Sequence, residues 1–369
     1  MRPVRVSPMG GYVLSPWRSH PGLMGSSECS IDRLATGVFA PAIPPFDQFF
    51  FHTPQRYGLP MTSTRMSRVT TPSSPSTAQE ASTTTPPYPI PYVAASDRLP
   101  EPLPTDATIR CSSKVLKAGY GRRIVRVGEH FVVKYGVLVS LTEGENMLFV
   151  RETCDISVPQ VFALYSRIDP SGAKVSYIVM EYIRGKSLDS RWDTMSAADK
   201  SNTSQQLRLM FDKLRSIPSP GYFGCIGRRP MEECMFWTLE EDSVDAISGP
   251  FDSETQLNNA LVEKYLYNSG MPSKAKFYRR VLPLVLYDHA SVFSHGDFQR
   301  KNVLVGDDGN LSLVDWESAG WYPSYWEYAL AMFACGGWRD DWHEYVASIL
   351  DEYPNEYVWF DMMRRELWS

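Results

Sequence analysis

Downstream of about residue 105, the apolar positions repeat first at strand spacing and later at helix spacing. Three short β-branched runs, Ile109–Val115, Ile124–Val127 and Phe131–Tyr135, predict strands separated by loops. The segment Lys117–Arg123 between the first two carries Gly119 and Gly121 and reads as a hairpin tip. Leu141–Glu152 then switches to helical period, with Glu143, Met147 and Val150 on one face and Glu145 on another. Val158–Leu164 and Val175–Tyr182 predict two more strands, joined across the turn Asp169-Pro170-Ser171-Gly172.

From Ala197 the pattern is helical. Leu207, Met210, Phe211 and Leu214 fall at helix spacing, and further helices are predicted over Leu257–Tyr267, Lys274–Leu282, Tyr325–Cys335 and Asp340–Tyr353. Pro283 is expected to end or kink the third of these five. A β-rich smaller half followed by a helical larger half predicts an α+β fold of two lobes with a cleft between them. The domain boundaries expected are an unstructured Ser/Thr/Pro-rich extension over 1–105, a nucleotide-binding lobe over 106–183 and a helical lobe over 184–369. The extension rests on stretches such as residues 70–93, whose composition does not build a packed core.

Composition narrows the function classes. The net charge of −5 leaves no nucleic-acid footprint, so no nucleic-acid partner is expected. No apolar run approaches the ~18 residues of a membrane span. The six cysteines form no CxxC pair and no His cluster accompanies them, which argues against zinc or a disulfide framework and for a reducing, cytoplasmic setting. The acid-poor, Arg-bearing start resembles a mitochondrial presequence, but its prolines oppose the amphipathic helix such a leader needs.

The chemistry concentrates in Ser294-His295-Gly296-Asp297-Phe298-Gln299-Arg300-Lys301-Asn302-Val303-Leu304-Val305, followed by a turn at Asp307–Asn310 and then Leu311–Val314, Asp315, Trp316 and Glu317. Two short strands across that turn bring Asn302 and Asp315 to one end, with Asp297 on the loop just before. Hard oxygen donors gathered in this way suit Mg²⁺ on nucleotide phosphates, which leaves Asp297 to orient a hydroxyl and accept its proton.

Asp-x-x-x-x-Asn, a hairpin and a second Asp resemble the kinase-fold active site. His-Gly-Asp in place of His-Arg-Asp, and Asp-Trp-Glu in place of Asp-Phe-Gly, make the chain similar to the aminoglycoside phosphotransferase/choline kinase family, with Ser318–Tyr328 resembling a fungal-type subgroup. The resemblance covers roughly residues 110–350 and implies a bilobal protein-kinase-like fold. It also implies transfer of a γ-phosphate from ATP or GTP to a hydroxyl of a small molecule, with Mg²⁺ held by Asn302 and Asp315 and Asp297 as the base. By the same resemblance Lys134 holds the α/β-phosphates, Glu143 pairs with it, and the Glu181 carbonyl and Ile183 N–H receive the nucleotide base. His295 is expected to brace the loop, and Trp321, Tyr322, Tyr325 and Trp326 to pack the large lobe. Glu317 is left open between the metal and the surface. The acids Glu232, Glu233, Glu240, Glu241, Asp242, Asp340, Asp341 and Glu344 suggest a cationic acceptor. The other class consistent with the residues is a catalytically silent kinase-fold protein that binds a nucleotide or metabolite; the intact set of Lys134, Asp297, Asn302 and Asp315 counts against it.

Overall fold

The computed structural model describes residues 87–368, apart from 239–243, 336, 337 and 339. The chain divides into two units, Met1–Tyr57 and Gly58–Ser369, and the described residues all belong to the second. Residues 1–86 of the expected extension therefore lie outside the described residues.

The N-terminal lobe contains β1 (Tyr92–Val93), α1 (Asp106–Arg110), β2 (Val115–Gly119), β3 (Arg122–Val127), β4 (Phe131–Gly136), α2 (Thr142–Thr153), β5 (Val161–Ile168) and β6 (Lys174–Glu181). Its strands form one antiparallel sheet in the order β1-β5-β6-β4-β3-β2. Side chains alternate across a strand, so this register sorts the residues by face. Val125, Val133, Val179 and Ala163 share the outer row and are buried there with Ile109 of α1. Lys117, Ile124, Lys134, Ile178 and Leu164 are successive partners along the inner row.

Helix α2 lies on that inner face, and its approach is set by a missing side chain. A Cβ on Gly144 would stand 2.1 Å from Leu164 Cδ2. With glycine there, Met147, Leu148 and Val150 reach the core that Leu164 and Ile178 also enter. Glu143, one residue before the contact, is thereby carried to Lys134.

After β6 the chain crosses to the second lobe, made of β7 (Gly185–Ser187), α3 (Ala197–Arg215), α4 (Val244–Ser248), α5 (Glu254–Tyr267), α6 (Pro272–Val285), β8 (Ser291–Ser294), β9 (Val303–Gly306), β10 (Leu311–Leu313), β11 (Gly320–Pro323), α7 (Trp326–Ala334), α8 (Trp342–Ile349) and α9 (Pro354–Trp368). Two small antiparallel sheets carry its loops: β10-β9-β7 and β11-β8. Trp321, Tyr322, Tyr325 and Trp326 are all buried, as expected for packing residues, and the Tyr322 and Trp326 rings stack at 5.2 Å. One cluster of buried side chains runs from Leu164 and Ile178 of the sheet to Phe293, Trp316 and Trp342 of the second lobe, which ties the two lobes together.

Four expectations are corrected. Ile109–Val115 is not a strand: Thr105 caps α1 by accepting from the Thr108 N–H, and β2 begins only at Val115. The β-branched residues there report burial of Ile109, not strand alternation. The boundary at 105 is too late, because Tyr92 and Val93 pair with Leu164 and Ala163, and the Tyr88 hydroxyl donates to Glu152 Oε2 at 2.7 Å. Helix α6 runs on to Val285 with Pro283 inside its last turn, where buried Leu282 and Leu286 hold it to the core. The helix predicted over Asp340–Tyr353 is shorter, α8 spanning only Trp342–Ile349, and a separate helix, α9, opens beyond it on Pro354, which suits a first helical position.

The hairpin tip is also narrower than predicted. Gly119 pairs with Arg122, so Lys117 and Arg122 are strand residues and only Tyr120 and Gly121 make the turn. The tip folds against the end of β4: Leu138 N–H donates to the Gly121 carbonyl at 3.0 Å. A Cβ on Gly136 would lie 2.0 Å from that carbonyl oxygen, and its φ is +151°. Gly136→Ala is therefore expected to cost about 2 kcal/mol of stability through backbone strain and overpacking. Chemical denaturation checks this; an unchanged midpoint would show that the tip is free to move.

Candidate active site

The cleft is organised around one ammonium. Lys134 Nζ lies 2.6 Å from Glu143 Oε2, 2.9 Å from Asp315 Oδ1 and 2.9 Å from Glu317 Oε2, with Lys134 and Glu143 each 2 % exposed. Glu143 arrives from α2. Asp315 and Glu317 arrive from the turn after β10, which reaches under the sheet. Asn146, one helical turn after Glu143, fixes that turn: its buried amide donates to the Trp316 and Ala319 carbonyls at 2.9 and 3.2 Å. Asp315 adopts a left-handed backbone with φ +67°, a conformation that Asp tolerates better than most side chains and that recurs at functional sites.

Two of the carboxylates facing this ammonium are shifted in opposite directions. Burial pushes Asp315 upward, but Lys134 beside it, with Lys117 and Lys301 further off, holds its carboxyl well below the usual range. Burial pushes Glu143 up, against the pull of Lys134 and with the help of its anionic neighbours. Lys134 stays protonated: its burial cost is outweighed by Glu143, Asp315 and Glu317, and its pKa rises.

The second group is built on the loop after β8. Gly296 has φ +79°, and a Cβ there would stand 2.3 Å from the Ser318 carbonyl oxygen, so only glycine allows the loop to pass. Glu327, buried in α7, accepts from the N–H groups of His295 and Gly296 at 2.6 and 3.3 Å. His295 Nε2 donates to the Val314 carbonyl at 3.0 Å and Nδ1 accepts from Asp297 N–H at 3.2 Å, which defines a neutral imidazole of fixed tautomer. This is the bracing geometry expected of it. Phe298 packs on Phe211 and Trp342 with ring centroids 4.5 and 5.6 Å away. Asp297 thereby has both neighbours anchored. Its carboxylate receives the Asn302 amide at 2.8 Å and the Gln299 amide, with Lys301 Nζ 3.5 Å off. Burial pushes Asp297 upward, opposed by Lys301.

Asn302 and Asp315 stand at one end of the β9–β10 hairpin, where Leu313 pairs with Val303 and Val314 N–H donates to the Asn302 carbonyl at 3.0 Å. Their side chains are turned differently: Asn302 to Asp297, Asp315 to Lys134. Among the described residues, the carboxylates able to gather on a cation are Glu143, Asp315 and Glu317, each with an oxygen within 4.8 Å of the others. At the hinge, the Tyr182 N–H is taken by the His130 carbonyl and the Glu181 side chain accepts from Gln160 N–H at 3.1 Å. The Glu181 carboxylate is thus held on the Gln160 side, and Ile183 lies in the short link between β6 and β7.

The acidic patch suggested for a cationic acceptor is mostly paired. Glu233 meets Arg364 at 2.7 Å, Asp340 meets Arg300 at 2.6 Å and Asp341 meets Lys200 at 2.8 Å. Glu232 accepts from Ser140 and Thr142. Glu344 is exposed, and residues 240–242 lie outside the described residues. Sequence reasoning saw the acids but not the cations opposite them. It also passed over Asn146 and Glu327. Their signals were present: an amide three residues after Glu143, and one carboxylate inside the apolar run Trp326–Met332.

Two lobes with this cleft define a kinase-like α+β fold. The chain belongs to the phosphotransferase enzyme family, whose family model matches residues 121–367. Among solved structures it is similar to aminoglycoside phosphotransferase APH(4)-Ia, at 15 % identity and a TM-score of 0.46 over 69 % of this chain and 81 % of that one. ADP-bound APH(2'')-Ib gives 14 % identity and 0.44 over 69 % and 80 %. Two subtelomeric hrmA-associated cluster proteins of Aspergillus fumigatus are 26 % and 28 % identical over 140 and 108 residues, which is 38 % and 29 % of this chain. The aligned stretches cover 26 % and 21 % of those relatives, so the chain spans about a quarter of the length of the curated relatives it matches.

Glu327→Ala is expected to destabilise the protein by about 1–3 kcal/mol, since two buried N–H groups lose their acceptor. Urea titration measures it. A change within about 0.5 kcal/mol, the range of ordinary surface substitutions, would mean that Glu327 does not hold the loop.

Proposed function

We propose that this chain is a small-molecule kinase that moves the γ-phosphate of ATP or GTP to a hydroxyl group of its acceptor. The observation that carries the reading is the meeting in one cleft of the Lys134–Glu143 pair from one lobe with Asp315, and with the anchored Asp297–Asn302 pair, from the other. Phosphoryl transfer asks a protein chiefly for positioning and for charge near the phosphates, and these residues supply both.

In this reading Lys134, held by Glu143, takes the α/β-phosphates. The Glu181 carbonyl and Ile183 N–H receive the base. Asn302 and Asp315 would hold Mg²⁺, once the Asn302 side chain turns from Asp297; the hard carboxylate of Asp315 and its depressed pKa fit that ion. Bound there, Mg²⁺ supplies neutralisation of phosphate charge. Asp297 orients the acceptor hydroxyl and takes its proton at a carboxylate oxygen, while the Asn302 and Gln299 amides keep that carboxylate in place. The acceptor is a small hydroxylated molecule. The pairing of Glu233, Asp340 and Asp341 leaves a cationic group with fewer free anions to meet than the sequence suggests. The described cysteines are free thiols, which supports a cytoplasmic setting.

A ligand that binds the native state raises its thermal stability. The full chain is expected to melt higher with ATP or GTP plus Mg²⁺, and Asp315→Ala to lose the Mg²⁺-dependent part. No shift with either nucleotide would favour the silent binding-protein reading. Asp297→Ala is expected to keep the shift but lose about 10²–10⁴-fold in turnover once an acceptor is found by screening hydroxylated amines and sugars. Near wild-type transfer would remove Asp297 from the role of base. Because Asp297 lies above the ordinary carboxylate value of about 3.9 and must be ionised to act, kcat/KM is expected to fall as pH drops through that raised value.

A further inference from the structure

Arg122 belongs to the cleft although it precedes the lysine by a full hairpin. It lies two residues before Ile124 on the same face of β3, and Ile124 pairs with Lys117 on one side and Lys134 on the other. Lys117, Arg122 and Lys134 therefore point into one space, bounded below by Asp315. That space is about 10 Å³, no more than a single water molecule needs. Polyphosphate enters only if a contact across it opens.

The contacts that close it differ in what it takes to break them. Arg122 Nη1 lies 3.1 and 3.2 Å from the two oxygens of Glu317, and Lys134 Nζ is 2.9 Å from one of them. Glu143 and Lys134 side chains are 3 % exposed and Asp315 is 21 % exposed, whereas Glu317 is 38 % exposed. Releasing Glu317 returns a half-solvated carboxylate to water and strands no buried charge. Releasing Glu143 would leave a charge buried without a partner. Glu317 is thus the anion that gives way.

We propose that Arg122 is a phosphate-binding residue which Glu317 holds in reserve: an incoming nucleotide exchanges the Arg122–Glu317 pair for an Arg122–phosphate pair. This rests on the nucleotide-binding reading of the cleft. A guanidinium presents a planar fork suited to two phosphate oxygens, and it keeps its charge throughout. The hairpin tip does not swing away when the pair opens, because Leu138 N–H holds the Gly121 carbonyl and Gly136 leaves the space for it. Arg122 stays above the vacated oxygen positions, and Glu317 is displaced toward solvent.

The test is calorimetric titration of the full chain with ATP, ADP and AMP in EDTA, for wild type, Arg122→Gln, Glu317→Gln and the double variant. Arg122→Gln is expected to weaken ATP and ADP about tenfold, the usual scale for a lost charged hydrogen bond, while AMP stays within about twofold. Glu317→Gln is expected to tighten ADP without metal, because the competing anion is gone, and this gain shrinks in the Arg122→Gln background. AMP binding reports that each variant is folded. Equal weakening of all three nucleotides by Arg122→Gln, or no gain from Glu317→Gln, would overturn the exchange. A wild-type protein that binds none of the three would instead end the nucleotide reading itself.

Discussion

The structure depends on the burial of one ammonium group. Lys134 is removed from water on the inner face of the sheet, and a charge so placed survives only where opposite charges are brought to it. Those charges come from three places in the chain: α2, and the two ends of the Asp315–Glu317 turn. Satisfying Lys134 therefore fixes the helix against the sheet and the second lobe against the first. The apolar contacts around it, from Leu164 through Ile178 to Trp316, set the distances at which the ion pairs form.

The loop bearing Asp297 follows a different logic. It carries little apolar anchoring apart from Phe298, so its shape is imposed by hydrogen bonds from outside itself. Glu327 takes two of its N–H groups, and His295 links it to the strand end that precedes Asp315. The two halves of the site are thus joined through Val314, whose carbonyl and N–H serve His295 and Asn302 respectively. A carboxylate anchored in this way loses little orientational freedom on meeting a substrate, which is the form of catalysis that positioning provides.

Much of this was legible in the sequence because it is local. The spacing of Asp297, Asn302 and Asp315 reports a loop and a hairpin, both short-range objects, and the period of Glu143, Met147 and Val150 reports a helix face. The family resemblance implied the pairing of Lys134 with Glu143, the helix face favoured Glu143 over Glu145, and the two side chains meet at 2.6 Å. What was not legible depends on contacts between distant segments. Ile109 has the side chain of a strand residue, but Thr105 capped its segment as a helix. Tyr92 and Val93 carry no strand signal of their own, since their pairing is decided by the open edge of β5. Asp340 and Asp341 looked like free anions because Arg300 and Lys200 stand 40 and 141 positions away. The family match begins at residue 121, inside the hairpin, so it too passes over the first strands.

The ordered segment upstream of α1 has one more implication. Tyr88 and β1 attach at once to Glu152 near the end of α2 and to the edge strand β5. Helix α2 is 12 residues long, about 18 Å at the rise of an α-helix, and it carries Glu143 at its opposite end. A tug on the polypeptide ahead of Tyr88 would thus be felt first by the helix that holds the buried lysine's partner, which makes this attachment a mechanical lever on the cleft as well as a seam in the sheet.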